Sequence, residues 1–283
     1  HWYYEEILKF HEGQQDKDEG YGYNYGHFTV ADNYSVSDEE LRKILRTYEK
    51  DTVWYKRDIR GERAVAEGII FRKFADNNDP YLYDEEELFE KEKVNGKEKL
   101  QFKVRPSKVV MGIDFGGNGS MTTYVCTLYF HGYHDFRADE EYHIPLAKDI
   151  DSDKICQEFI KFYKLLLDKY GRVDYVFPDS AATTMINSLI SSARKAGLPY
   201  LNIAGCRKNE LTERPRMMDI LLNTGRMKIN RKCEKLRKAL GKLKWDEDKP
   251  NIPEDKNIGN CTDWWDAFCY TLLDFVEFID LDR

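Results

Sequence analysis

The sequence predicts an α/β fold, a mixed β-sheet with helices packed on its faces. Three observations predict it. Two β-rich runs, Val109 to Ile113 and Thr122 to Tyr129, flank a turn of Gly116, Gly117, Asn118, Gly119 and Ser120; glycine and asparagine tolerate positive φ, so the stretch reads as a hairpin. Two helices with apolar faces then alternate with short apolar strands. The resulting order, βββαβαβ, suggests a mixed sheet covered by helices.

Bulk properties narrow the class. The 283 residues are 34% charged and 14% aromatic, a globular rather than a disordered profile. A net charge of −7 gives no overall steering toward nucleic acid, so any DNA contact has to come from a local basic patch. The six cysteines, at 126, 156, 206, 233, 261 and 269, form no C-x-x-C pair and no zinc spacing. They read as reduced thiols of a cytosolic protein, several of them in the core. No apolar run approaches the ~18 residues of a membrane span, and the sequence is expected to carry no signal peptide. The chain opens at His1 rather than Met, as a fragment of something longer would.

In chain order, residues 1–12 suggest a strand or helix edge, followed by a polar loop with glycines at 13, 20, 22 and 26. Residues 26–33 read as a short strand ending in a turn. Ser37-Asp-Glu-Glu caps a helix running to about Tyr48. Residues 54–74 suggest a helix end, a glycine turn and a strand. The segment 76–105, rich in Asp, Glu, Lys and Asn, reads as a charged linker or insertion between an N-terminal unit (1–75) and a main domain (106–283).

After the hairpin, Phe136 to Ile144 can form a third strand. Ser152 caps a helix to about Tyr170 that Gly171 stops. Val173 to Pro178 is a strand delivering Asp179, Thr183 to Ala196 a helix, and Tyr200 to Ala204 a fifth strand. A helix around Met217 to Leu222, a strand at Arg226–Ile229, a basic helix from Arg231 to about Leu243 and a last helix from Thr262 to about Phe278 complete the chain.

Four acids stand out. Asp114 ends an almost entirely apolar strand and either caps the turn through its own backbone or holds a cation, since an unpaired buried charge is very costly. Asp179 repeats the pattern at the end of a later strand, where a helix-proximal cap is the ordinary reading. Asp263 and Asp266, three apart, share one face of the last helix, where acids also suit the macrodipole. Asp266, however, lies within the apolar stripe Trp264, Trp265, Ala267, Phe268 and Cys269. Burying it there without a partner would cost several kcal/mol, roughly 3–5 for a broken buried pair. Carboxylates from a first strand, a fourth strand and a late helix are what a ribonuclease-H-like site needs. Such oxygens can hold two Mg²⁺ or Mn²⁺ roughly 3.5–4 Å apart.

The motifs Gly112-Ile-Asp-Phe-Gly-Gly-Asn-Gly-Ser120, Phe177-Pro-Asp-Ser180 and Asp263-Trp-Trp-Asp-Ala-Phe-Cys-Tyr270 occur in that order. In this order they resemble the C-terminal nuclease domain of the large terminase subunit of tailed bacteriophages. His1-Trp2, His27 to Asn33 and Trp54 to Gly68 are similar to the end of that family's ATPase domain. The resemblance implies a ribonuclease-H-like fold preceded by an ATPase remnant. It implies a two-metal endonuclease that cuts concatemeric double-stranded DNA in the host cell cytoplasm, with the portal protein and the small terminase subunit as partners. By position it makes Asp114, Asp179 and Asp266 metal ligands and Asp263, where some relatives carry His, a fourth. No G-x-x-x-x-G-K-[ST] loop occurs, so the chain is expected not to turn over ATP unaided.

The Asp114-Gly116-Gly117 loop also resembles the first phosphate loop of actin-like and sugar-kinase ATPases. Their second Asp-x-Gly loop has no counterpart, because Asp179 is followed by Ser-Ala. Other ribonuclease-H-like nucleases, such as resolvases, would share the acids but not the N-terminal third. Between Gly205 and Lys244 stand thirteen Lys and Arg against four Asp and Glu, the one stretch with charge enough to grip DNA. Lys208, just past the fifth strand, is the candidate phosphate contact near the acids. Arg231, Lys232 and Lys235 are candidates farther along it.

Overall fold

The computed structural model describes residues 26–50, 52–62, 64, 67–94, 97–116, 120–145, 151–198, 202–208, 211–249, 251–254 and 261–281. The expected edge at 1–12 and the tip of the glycine turn, 117–119, lie outside them.

Before the main sheet the chain runs through short elements. Residues 30–32 form a single 3₁₀ turn rather than the expected strand. The Asp32 carboxylate accepts the Thr29 amide at 2.7 Å, a local bond that competes with extended backbone. Helix α1 (Asp38–Thr47) starts as expected, with Ser37 Oγ accepting the Glu40 amide and Glu40 accepting the Ser37 amide. The strand expected before Phe74 is reduced to one bridge between Ile69 and Lys244, followed by helix α2 (Arg72–Asp76). Phe71 and Phe74, three apart, both bury against the core, a helical spacing.

The segment expected as a linker or insertion is folded. Strand β1 (Leu82–Tyr83) joins the edge of the main sheet, and α3 (Glu85–Leu88) leads into an antiparallel ribbon of β2 (Phe89–Val94) and β3 (Lys97–Phe102). Phe89 and Phe102 meet at 4.5 Å between ring centres, and both rings stack near Tyr170.

Strands β4 (Lys108–Asp114) and β5 (Thr122–Phe130) are the expected hairpin, and β6 (Asp135–Ile144) extends it antiparallel. Helix α4 (Ser152–Tyr170) is capped by Asp151, whose carboxylate accepts the Lys154 amide, and not by Ser152. Gly171 stops it at a φ of +76°. Strand β7 (Tyr175–Pro178) returns parallel to β4, and α5 (Thr183–Lys195) follows. Residues 202–206 then run parallel beside β7, with the Val176 amide donating to Asn202 O and the Cys206 amide to Pro178 O. This is the expected fifth strand, part of which (200–201) lies outside the described residues.

Helix α6 (Glu213–Asn223) leads to β8 (Met227–Asn230), parallel to β6. The basic helix is α7 (Glu234–Leu240), shorter than expected. Helix α8 (Cys261–Tyr270) ends early, and Leu273–Phe278 continue as 3₁₀. The Thr271 hydroxyl donates back to Phe268 O at 2.7 Å, and Tyr129 Oη donates to Thr271 O, so the break is fixed by side chains.

The main sheet has the order β1-β8-β6-β5-β4-β7. This mixed sheet, with α4 and α5 on one face and α6, α7 and α8 on the other, is ribonuclease-H-like. Strand periodicity divides the core. Val109, Met111, Ile113, Tyr124 and Cys126 pack with Phe159, Tyr163 and Leu189, whereas Val110, Val125 and Phe136 pack with Trp265, Phe268, Met218 and Leu236. All six cysteines are buried and unpaired, as expected. Among the described residues no helix is long and apolar enough to cross a membrane.

Candidate active site

The geometry of the site begins at a glycine. Gly112 lies two residues before the end of β4, on the face that α8 covers. A Cβ there would come within 2.0 Å of the Ala267 carbonyl oxygen. Only glycine lets α8 cross the strand this closely, and the crossing sets the start of the helix over the strand's end. Asp114, in register with Thr123 and through it with His143, is therefore roofed by the turn that carries Asp263 and Asp266.

Three of the four acids are held by named partners. Thr123 Oγ1 donates to Asp263 O at 2.8 Å, and the Asp263 carboxylate accepts the Met121 amide at 2.9 Å. Asp263 is thus tied to the β5 side of the glycine turn and is buried. Asp266 accepts from the Arg214 guanidinium at 3.1 Å. Arg214, 3% exposed, comes from α6 and lies over the Tyr270 ring at 5.9 Å. On the other side Asp179 follows β7, its amide donating to Ile113 O at 3.0 Å, one residue from Asp114. Its carboxylate accepts the Ala181 amide at 2.9 Å and the Lys208 ammonium at 2.8 Å. Lys208 reaches it because residues 202–206 run beside β7 and Asp274 accepts the Arg207 amide at 2.9 Å.

The electrostatics follow from this crowding. Burial first, then Asp266, Asp263 and Asp179, push the Asp114 carboxyl up to about 9, while Lys208 pulls it down. Burial and the same neighbours, Asp266, Asp114 and Asp179, push the Tyr270 hydroxyl well up. Four carboxylates from three elements share one end of the sheet, with Lys208 and Arg214 at its margins. All offer hard oxygen donors, the type that Mg²⁺ and Mn²⁺ take. The donor set therefore fits divalent cations.

Sequence reasoning named the acids and Lys208 but missed Arg214, Gly112 and Thr123. Arg214 carried no signal, being one of thirteen basic residues in its stretch. Gly112 could have been suspected, as a glycine inside an apolar strand marks close approach.

The remaining basic candidates are elsewhere. Arg231 pairs with Asp79 at 2.7 Å and Asp84 at 3.1 Å, and Lys232 with Glu85 at 2.9 Å and Glu140 at 2.6 Å. The excess positive charge read from the sequence is thus partly answered by the acids of 79–85, which read as linker. Lys235 is exposed and leans toward the site's end of β6: burial, and then Lys235, depress His143.

Among the described residues, the one group of three or more acids whose oxygens all lie within 4.8 Å of one another is Glu85, Asp139 and Glu140. Lys169 sits among them, at 2.5, 2.7 and 2.8 Å, and Lys232 joins at the edge. Lysine charge already compensates these acids, so they form an ion-pair network. Asp179, Asp263 and Asp266, grouped around Asp114, are each turned to a donor of their own.

No family model matches the chain, and no curated protein matches it by sequence. In structure it is similar to the large terminase from the thermophilic bacteriophage D6E, with 20% identity and a TM-score of 0.69, covering 98% of this chain and 59% of that one. For that phage's large terminase in complex with ATP-gamma-S the values are 21%, 0.67, 96% and 60%. The large terminase nuclease from the thermophilic phage G20c gives 13% identity and a TM-score of 0.46, covering 72% of this chain and 97% of that one, a likeness that carries no weight for function. At 20–21% identity the D6E likeness shows a shared fold. This chain spans about three fifths of the D6E protein's length.

Proposed function

We propose that this chain is the nuclease part of a DNA-packaging terminase large subunit. Its reaction would be hydrolysis of phosphodiesters in concatemeric double-stranded DNA, in the host cell cytoplasm. What carries the reading is the convergence of Asp114, Asp179, Asp263 and Asp266 on one end of a ribonuclease-H-like sheet, where burial first and then the neighbouring acids push Asp114 up to about 9. That charge calls for cations. Asp114, Asp179 and Asp266 would hold them, with Asp263 as fourth ligand. Two Mg²⁺ or Mn²⁺, when bound, would supply Lewis-acid stabilisation of the attacking and leaving oxygens.

The protein's own groups do the rest. Arg214, buried beneath Tyr270, fixes the orientation of Asp266. The Met121 amide and Thr123 hydroxyl fix Asp263. Lys208, half exposed beside Asp179, would contact a DNA phosphate. Lys235 would extend the contact, whereas Arg231 and Lys232 are engaged by acids. The portal protein and the small terminase subunit are the partners this reading supplies.

The test is cleavage of supercoiled plasmid with Mn²⁺ or Mg²⁺, followed by EDTA. Metal-dependent nicking and linearisation are expected, abolished by chelation. Cleavage that survives EDTA would sink the reading. Phosphate release from ATP, lost in Asp114→Asn, would favour the actin-like alternative.

A further inference from the structure

The second large feature of the molecule is a cavity of about 740 Å³ away from the four carboxylates, between the N-terminal segment and α6. That size suits a small-molecule site. Its walls carry Trp54, Phe71, Phe74 and Trp245, with the two indoles edge to face at 5.6 Å.

Asp219 lies on this wall, from the middle of α6, where its neighbours Met218, Ile220, Leu221 and Leu222 are all buried. Its side chain is 9% exposed, and no donor among the described residues reaches it. The nearest cation, Lys73, attracts it only at a distance and is paired with Glu49. A buried carboxylate without a hydrogen bond is rare, because desolvation is uncompensated. Burial accordingly pushes Asp219 up to about 7.

The group that would satisfy Asp219 has a definable chemistry. It must donate to a carboxylate and tolerate flat aromatic walls. Across the whole wall four acids stand against three bases, so the cavity does not repel a cation. Ammonium is compact and strongly hydrated. Guanidinium is planar, donates two parallel hydrogen bonds to a carboxylate and stacks on indole faces.

We propose that this cavity binds a guanidinium group, with Asp219 as its anionic anchor and Trp54 and Trp245 as its walls. The site is separate from the four carboxylates and does not depend on the nuclease reading. The guanidinium could belong to a free small molecule or to an arginine side chain of a partner protein.

The experiment titrates the full chain at pH 8 with agmatine and with a blocked Gly-Arg-Gly tripeptide, by calorimetry and tryptophan fluorescence. The control is the same tripeptide with citrulline, which keeps the shape and loses the charge. Agmatine or the arginine peptide should bind and perturb tryptophan emission, and the citrulline peptide should not. Stronger binding of agmatine identifies a free ligand, and stronger binding of the peptide identifies a protein arginine. Asp219→Asn should weaken binding by about tenfold or more while the protein stays folded, as charge-assisted bonds of this kind imply. Asp219→Leu, a second variant that removes the buried charge, should bind neither probe. Failure of both arginine-type probes at millimolar concentration overturns the proposal, as does equal binding of citrulline or undiminished binding by Asp219→Asn.

Discussion

Gly112→Ala puts the account of the site under direct strain. The added Cβ would sit 2.0 Å from Ala267 O, against the roughly 3.3–3.6 Å of an ordinary C···O contact. Helix α8 must therefore move outward by about 1.3 Å or more, or β4 must buckle. Neither is free, because Ala267 and Phe268 are wholly buried against the sheet. Overpacking of this kind costs about 1–3 kcal/mol. The shift also strains the Thr123 to Asp263 and Met121 to Asp263 hydrogen bonds, at about 1 kcal/mol each. The sum, about 3–5 kcal/mol, is a large share of the 5–15 kcal/mol typical of a domain. Urea unfolding gives that loss directly. Plasmid cleavage should fall further than stability does, by about a hundredfold in protein that remains folded, because a misplacement near 1 Å is enough. A Gly112→Ala protein with wild-type midpoint and wild-type cleavage would show that α8 does not set the acids through this crossing.

Three further outcomes follow from other parts of the molecule. The folded-state pKa of Asp219 lies above its unfolded value, so the folded protein keeps a proton that the unfolded chain has lost. Stability from this group is therefore full below about pH 4 and falls as pH rises to about 7. Asp219→Asn should raise stability at pH 8 by up to roughly 4 kcal/mol and by little at pH 4, read from urea curves at both values. Asp139 is fully buried and accepts from Tyr83, Tyr170, Asn230 and Lys169. Lys169→Met should cost about 3–5 kcal/mol by stranding it, and Asp139→Asn added to that variant should recover part of the loss. Lys208→Glu should weaken duplex binding and flatten the log–log salt slope by about one unit, measured by anisotropy in Ca²⁺. Arg231→Glu should instead lower the melting temperature by opposing Asp79 and Asp84, with the slope unchanged.

Much of this was legible in the sequence because the informative residues obey local rules. The antiparallel pairing of the two β runs, the Ser37 cap and the Gly171 stop are decided within a few residues, and they fell where expected. Asp114 and Asp179 could be picked out because a carboxylate ending an apolar strand breaks the pattern around it. The misses were non-local. Residues 89–102 alternate charge so densely that they read as a linker, yet Phe89 and Phe102 at the ends pin the ribbon to Tyr170. Arg231 and Lys232 looked like free positive charge until the fold brought Asp79, Asp84, Glu85 and Glu140 to them. Arg214 looked like any other basic residue, since its burial under Tyr270 is set wholly by tertiary packing.

Uptake of Mn²⁺, followed by electron paramagnetic resonance, tests whether Asp114, Asp179, Asp263 and Asp266 form one cation site. Wild-type protein should remove free Mn²⁺ from solution and gain thermal stability as it does so. Asp114→Asn should take up little and gain nothing, while melting no lower than wild type without metal, because it relieves repulsion among the carboxylates. Equal Mn²⁺ uptake and equal thermal gain in wild type and Asp114→Asn would contradict the account.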